Sequence, residues 1–188
     1  MSVLPIYNCF HPVMKQVSEP VAEFNQEIKD LVANLYDTLY NADNGIGLAA
    51  PQVGVSKRVF VLDLKDGKGA VKNTPITMIN PVIEVFSEEQ WEYQEGCLSV
   101  PTLYENIDRP RLVQVRYQDT DMKEHRLEAD KLLSRVIQHE FDHLEGTLFY
   151  EKLSPLRRTL IKNRLRKIQK GQVEASYPMM MPDGRLAE

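Results

Sequence analysis

His139-Glu140-Phe141-Asp142-His143 lies in a run over 129–145 that reads as a helix ended by Gly146. Residues four apart share a helix face, so both imidazoles can reach one metal ion. Leu132 and Val136 precede His139 on the same stripe. The histidines therefore face the core, where an unliganded pair would be costly. Glu140 adjoins the first ligand, placed to bind a water on the metal rather than the metal itself.

Two ligands do not make a site. The pattern H-E-x-x-H-x-x-G-x-x-H has its glycine here, Gly146, but Phe149 stands at its final position. A downstream acidic ligand is missing too, since no Asp or Glu lies between Lys152 and Val173. Glu145 and Glu151 follow the motif on other faces or elements. Upstream is Glu95-Gly96-Cys97-Leu98-Ser99. A thiolate suits a borderline-soft divalent ion, and Gly96 lets the backbone approach a metal or substrate closely. A lone Cys97 reads as a small buried hydrophobe; beside a motif short of one ligand it is the best third candidate.

Outward from the motif the chain alternates in character. Val21, Phe24, Ile28, Leu31, Val32, Leu35 and Leu39 predict an amphipathic helix from Pro20 to about residue 41. A glycine-punctuated loop over 44–54 follows. Strand patterns cover 58–64, 76–79, 82–86 and 112–118, with turns expected at Asp66-Gly67 and Asn80-Pro81. A last helix is expected over 155–170, ended by Gly171. Residues 1–19 read as irregular and 171–188 as a loose tail. Strands in the middle and helices at both ends give an α+β fold: a mostly antiparallel sheet around a central helix carrying the H-E-x-x-H motif, with an N-terminal and a C-terminal helix. One catalytic domain over 1–170 is expected.

Composition fits that reading. The 188 residues are 43% hydrophobic and 27% charged, which excludes collagen, bulk disorder and a coiled-coil rod. A net charge of −4 gives no global nucleic-acid signal, and DNA is not an expected partner. No window approaches the roughly 18 unbroken apolar residues of a membrane span, and the N-terminus does not read as a signal peptide. Two cysteines, Cys9 and Cys97, make no disulfide framework, so a reducing cytoplasmic location is expected.

Three motifs in order resemble peptide deformylase: Gly45-Ile46-Gly47-Leu48-Ala49-Ala50-Pro51-Gln52, Glu95-Gly96-Cys97-Leu98-Ser99, and Gln138-His139-Glu140-Phe141-Asp142-His143-Leu144. The likeness runs from about residue 5 to about 166 and is closest to the bacterial type with a C-terminal helix. It implies Cys97, His139 and His143 as ligands completed by a water, and Glu140 as general base and acid. Gln52 and the Leu98 N–H match the oxyanion donors, and Gly47 a backbone contact to substrate. Ile46 matches the wall of a methionine pocket that Tyr93, Leu132 and Val136 would also line, with Glu95 and Gly96 at the substrate cleft. The family removes the formyl group from the N-formylmethionine of new chains and releases formate, with a metal-bound water as nucleophile. Its metal is usually Fe2+, replaced by Zn2+ or Ni2+ in preparations.

Departures from the family pattern are also visible. Cys9-Phe10-His11-Pro12 replaces a Pro-Asp-Pro turn. Met122 and Lys131 stand where glycines are usual, Ser134 replaces an alanine, and Tyr104 takes a position near the cleft where some family members carry Arg. Two other classes fit less well. A metallopeptidase lacks its third ligand. A binding module with a structural metal needs four protein ligands, and His11 and His125 are isolated. Finally, Lys152 to Lys170 holds eight basic and no acidic residues. With Leu156, Leu160, Ile161, Leu165 and Ile168 docking on the domain, helix 154–170 would show a basic face to RNA, and the resemblance suggests a ribosome contact.

Overall fold

The computed structural model describes residues 2–42, 45–64 and 75–187. The layer that positions the site begins with strand β3, Val59–Leu62, whose four residues are all apolar and all buried. Side chains alternate across a strand, so one pair must face each side. Val59 and Val61 pack with Ile28, Leu31, Leu35 and Leu39 of helix α1, Gln26–Asn41. Phe60 and Leu62 pack with Leu133, Val136, Ile137 and Leu144 of helix α2, Lys131–Leu144, which carries the H-E-x-x-H residues. Burying a Phe60-sized side chain stabilises by about 2–3 kcal/mol. A sheet covered on both faces therefore fixes one helix relative to the other.

That sheet has five antiparallel strands in the order β2-β3-β4-β7-β8. Its members besides β3 are β2 (Gly47–Ala49), β4 (Ile76–Phe86), β7 (Leu112–Gln118) and β8 (Glu124–Asp130). Strands β5 (Gln90–Cys97) and β6 (Val100–Pro110) form a separate hairpin. Helix α3, Pro155–Gln169, packs beside it through Ile161 and Ile168. The mixed α+β class with three helices and antiparallel sheets is as the sequence predicts.

Several expectations are corrected. Helix α1 begins at Gln26, not Pro20. The Asn25 side chain accepts from Ile28 N at 3.1 Å and caps it, while the Val21 backbone is tied to the Asn80 amide by two hydrogen bonds of 2.8 Å. The turn expected at Asn80-Pro81 is a bulge inside one long strand β4. Asn80 takes φ 50°, and Pro81 sits where no ladder N–H is needed. The expected Asp66-Gly67 turn lies outside the described residues.

The loose tail is not loose. Strand β9, Met179–Met180, pairs in parallel with β1, Ile6–Tyr7, from the region read as irregular, and β10, Leu186–Ala187, pairs with β9. Met179 and Met181 are buried, and the Asn8 amide reaches Met179 Sδ and the Ile168 carbonyl. Two short apolar pairs, each too brief to show a period, find one another across the chain.

The family departures find local solutions. The His11 ring accepts from Val13 N at 3.3 Å and caps a 3-10 turn over Pro12–Lys15. Met122 and Lys131 adopt φ 58° and 51°, the left-handed conformation glycine enters freely. On α3, Leu156 and Leu160 stay exposed instead of docking. Among the described residues no helix is long and apolar enough to cross a membrane.

Candidate active site

Three elements deliver the side chains. Helix α2 brings His139, Glu140 and His143 to one buried face. The end of β5 brings Cys97, and Leu98 lies in the turn into β6. A 3-10 turn over Ala50–Val53 brings Gln52. Cys97 Sγ lies 3.3 Å from His143 Nε2, and the two imidazoles stand nearly perpendicular with centroids 5.0 Å apart. Among the described residues the cluster able to hold a metal is Cys97, His139 and His143, with ligand atoms within 4.8 Å of one another. Glu145 instead pairs with Arg58 and Glu151 with Lys15, so the alternative acidic ligands are engaged elsewhere.

The donor set fits a divalent cation. His143 Nδ1 and Glu140 Oε2 are buried with no protein partner among the described residues. Burial pushes His143 well below the ordinary imidazole value, which keeps it in the neutral form a metal needs. At His139 burial acts the same way, but contacts with Cys97 and Glu95 outweigh it and hold a proton that a cation would displace. Burial raises the Glu140 carboxyl to about 7, against the lowering pull of His139. A base poised near neutrality suits proton transfer.

An ionic cluster adjoins the three candidate ligands. Glu95 Oε2 meets His139 Nδ1 at 3.0 Å. Arg109 donates to both Glu95 oxygens, at 2.6 and 2.9 Å, and to Asp142 at 2.6 Å. Arg135 donates to Glu95 at 2.7 Å and to the Ile107 and Trp91 carbonyls. Burial works against the Glu95 charge, yet His139 and Arg109 hold its carboxyl well below the usual carboxylate range. Glu95 was expected at the substrate cleft. It does line the cleft, but its carboxylate is taken up by this cluster and by the first histidine.

Cys97 and His139 open onto a cleft of about 320 Å³. Ile46, Gly47, Gln52, Tyr93, Glu95, Gly96, Cys97, Leu98, Leu132, Val136, His139 and Glu140 line it, whereas His143, also expected at the site, is buried and does not. Two of its glycines allow a close approach that a side chain would disturb. A Cβ on Gly47 would lie 2.5 Å from Glu140 Oε1 and 2.9 Å from Val136 Cγ1, and one on Gly96 would strike the Tyr104 ring at 2.5 Å. Gln52 is fixed by Ala49 N donating to its oxygen at 2.9 Å. Its amide nitrogen reaches Ser99 Oγ at 3.3 Å and Cys97 Sγ at 3.5 Å.

Sequence reasoning missed Arg109, Arg135 and Tyr177. Arg135 had a signal: it precedes His139 by four residues on the helix carrying the motif. Arg109 lies on a strand with no local mark, and Tyr177 comes from the segment read as a tail.

A helix with paired histidines and a Glu, packed against a cysteine-bearing hairpin beside a cleft, carries a donor set of the kind metal-dependent hydrolases use. The polypeptide deformylase family model matches residues 3–159. A peptide deformylase of Salinibacter ruber is 42% identical over 188 residues, covering 96% of each chain. Peptide deformylase 1 of Pseudomonas syringae is 46% identical, covering 90% of this chain and 98% of its own. The crystal structure of the Legionella pneumophila peptide deformylase superposes with a TM-score of 0.80 at 34% identity, covering 91% and 98%. That of Ehrlichia chaffeensis in complex with actinonin gives 0.81 at 36%, covering 93% and 100%. The chain belongs to the polypeptide deformylase family, metalloenzymes that remove the N-formyl group from nascent polypeptides.

Proposed function

We propose that the cleft hydrolyses the formyl amide of N-formylmethionyl nascent peptides, with Cys97, His139 and His143 holding one divalent ion. In this reading α2 is the central helix of a single catalytic domain. The observation that carries it is the meeting of the three candidate ligand atoms within 4.8 Å of one another, where Cys97 and His139 share one cleft with Glu140.

When bound, the ion supplies Lewis acidity that lowers the pKa of water toward about 7 and polarises the formyl carbonyl. Glu140 takes a proton from the attacking water and delivers one to the departing amine. The formyl C–N bond breaks, the carbon keeps the water oxygen, and formate and the free amine leave. The Gln52 amide and the Leu98 N–H donate to the oxyanion, and loss of one such donor costs roughly 10²–10³-fold. The Gly47 backbone bonds the substrate main chain. Ile46, Tyr93, Leu132 and Val136 receive the methionine side chain, with Gly96 leaving room beside the ligand strand. A formyl carbon bears only hydrogen beyond its amide, so a narrow cleft admits it and rejects acetyl.

The family resemblance supports Fe2+ as the native ion, with Zn2+ or Ni2+ taking its place in preparations, and the thiolate–imidazole donor set suits all three. Action in the cytoplasm, with helix 154–170 touching the ribosome, completes the reading. The basic outer face of α3 supports that contact. Arg157 is tied to buried Glu105, Arg164 to the Thr102 carbonyl and Lys152 to Asp142. Arg158, Lys162, Arg166, Lys167 and Lys170 make no ion pair among the described residues. The deciding experiment is formate release from a formyl-Met peptide by anaerobically purified protein with its metal measured. Stoichiometric metal with no formate release would overturn the reading, and casein cleavage would replace it with a peptidase.

A further inference from the structure

After α3 the chain reverses at Gly171, φ 66°, and residues 174–177 run along the mouth of the cleft. This strap is anchored on its far side. Ile6 N donates to the Pro178 carbonyl and Asn8 N to that of Met180, both at 2.9 Å, and Met179 is buried one residue further on. On its near side the Tyr177 hydroxyl donates to the Leu98 carbonyl at 2.7 Å. The next carbonyl, that of Ser99, accepts from Cys9 N at 2.9 Å. The two-residue turn after Cys97 is thus pinned by both ends of the chain. Among the described residues, the side-chain hydrogen bond to the Leu98 carbonyl comes from the Tyr177 hydroxyl.

We propose that the strap is the C-terminal wall of the substrate cleft and that Tyr177 is a positioning residue, holding the Leu98 carbonyl so that the Leu98 N–H is aimed at the reacting oxygen. The inference rests on the deformylase reading of the site. Without the hydroxyl, Leu98 keeps its place in sequence between a ligand and a pinned serine, but its peptide planes are free to rock. Donor aim matters most when charge develops on the oxygen, so the loss falls on kcat and not on KM.

The test is Tyr177→Phe, which removes one oxygen and keeps the ring. Formate release by the native protein is measured first, and its absence would fail the proposed function without touching the variant. With native turnover in hand, kcat of Tyr177→Phe on a formyl-Met dipeptide should fall roughly tenfold with KM within twofold. In zinc-loaded protein the Leu98 carbonyl 13C resonance should shift, a readout independent of turnover. A raised KM at unchanged kcat would make Tyr177 a substrate contact and overturn the positioning role. An unmoved carbonyl resonance, or kcat and KM both within twofold of native, would overturn the proposal as well. Should Phe unseat the strap, 3-fluorotyrosine at 177 keeps the hydroxyl and alters its donor strength. A changed kcat at constant KM then supports the proposal, and an unchanged kcat defeats it.

Discussion

Glu95 Oε2 lies 3.0 Å from His139 Nδ1, so the residue two before the thiolate candidate orients the imidazole of another. A histidine whose outer nitrogen is held presents the inner one in a fixed tautomer and direction. Glu95→Gln should therefore weaken metal binding by roughly 10–100-fold while leaving all three ligands present. Competition against a chromophoric chelator reads this directly. Affinity equal to the native protein's would show that the contact has no hold on the site.

The two cysteines should separate cleanly. Cys97 faces His143 at 3.3 Å, whereas Cys9 is wholly buried with its thiol pushed up to about 12, chiefly by burial. Cys97→Ala should lose stoichiometric metal, and Cys9→Ala should retain it. Elemental analysis of both purified variants checks the pair, and metal kept by Cys97→Ala would sink the three-ligand assignment.

Glu140 is assigned to protons and not to the ion. Glu140→Ala should keep the metal and lose turnover by roughly 10²–10⁴-fold, the usual weight of a positioned acid–base group. Formate release near the native rate would end the assignment.

Lys131 opens α2 at φ 51°, a conformation that costs a residue with a Cβ about 1–2 kcal/mol. Glycine avoids that strain but brings extra unfolded-state entropy, which returns part of the gain. Lys131→Gly should raise stability by about 0.5–1 kcal/mol in urea unfolding. A lower midpoint would mean that the lysine side chain matters more than its backbone.

How much was legible follows the reach of each pattern. The H-E-x-x-H residues sit at helical spacing within one element, so the chain could be read locally and α2 forms with them on its buried face. Strand β7 alternates and is found where the pattern puts it, at Leu112–Gln118. Pairings with no local period were not readable. The β1–β9 contact joins residues 6–7 to 179–180, and each partner is two residues long. Arg109 becomes meaningful only when β6 brings it beneath Glu95 and Asp142. Asn80-Pro81 was misread because turn chemistry and bulge chemistry favour the same residues, and only the continuation of pairing to β7 separates them.

The proposed ribosome contact is testable only with the fold left intact. Cutting the chain after Leu153 would remove β9 and Tyr177 along with the basic helix, so lost binding would prove nothing. Charge reversal is cleaner. Arg158, Lys162 and Arg166 have no ion pair among the described residues, so changing all three to Glu spares the bonds of Arg157 and Arg164 to the hairpin. RNA binding driven by counterion release weakens steeply with salt. Co-sedimentation of the native protein with ribosomes should fall sharply between about 50 and 200 mM salt. The triple variant should lose the low-salt binding while turning over a short formyl-peptide at the native rate. Leu156 and Leu160 stay exposed on the same helix, so apolar contact is the competing explanation. Binding that survives the reversal but not Leu156→Ser with Leu160→Ser would replace the electrostatic account with that one.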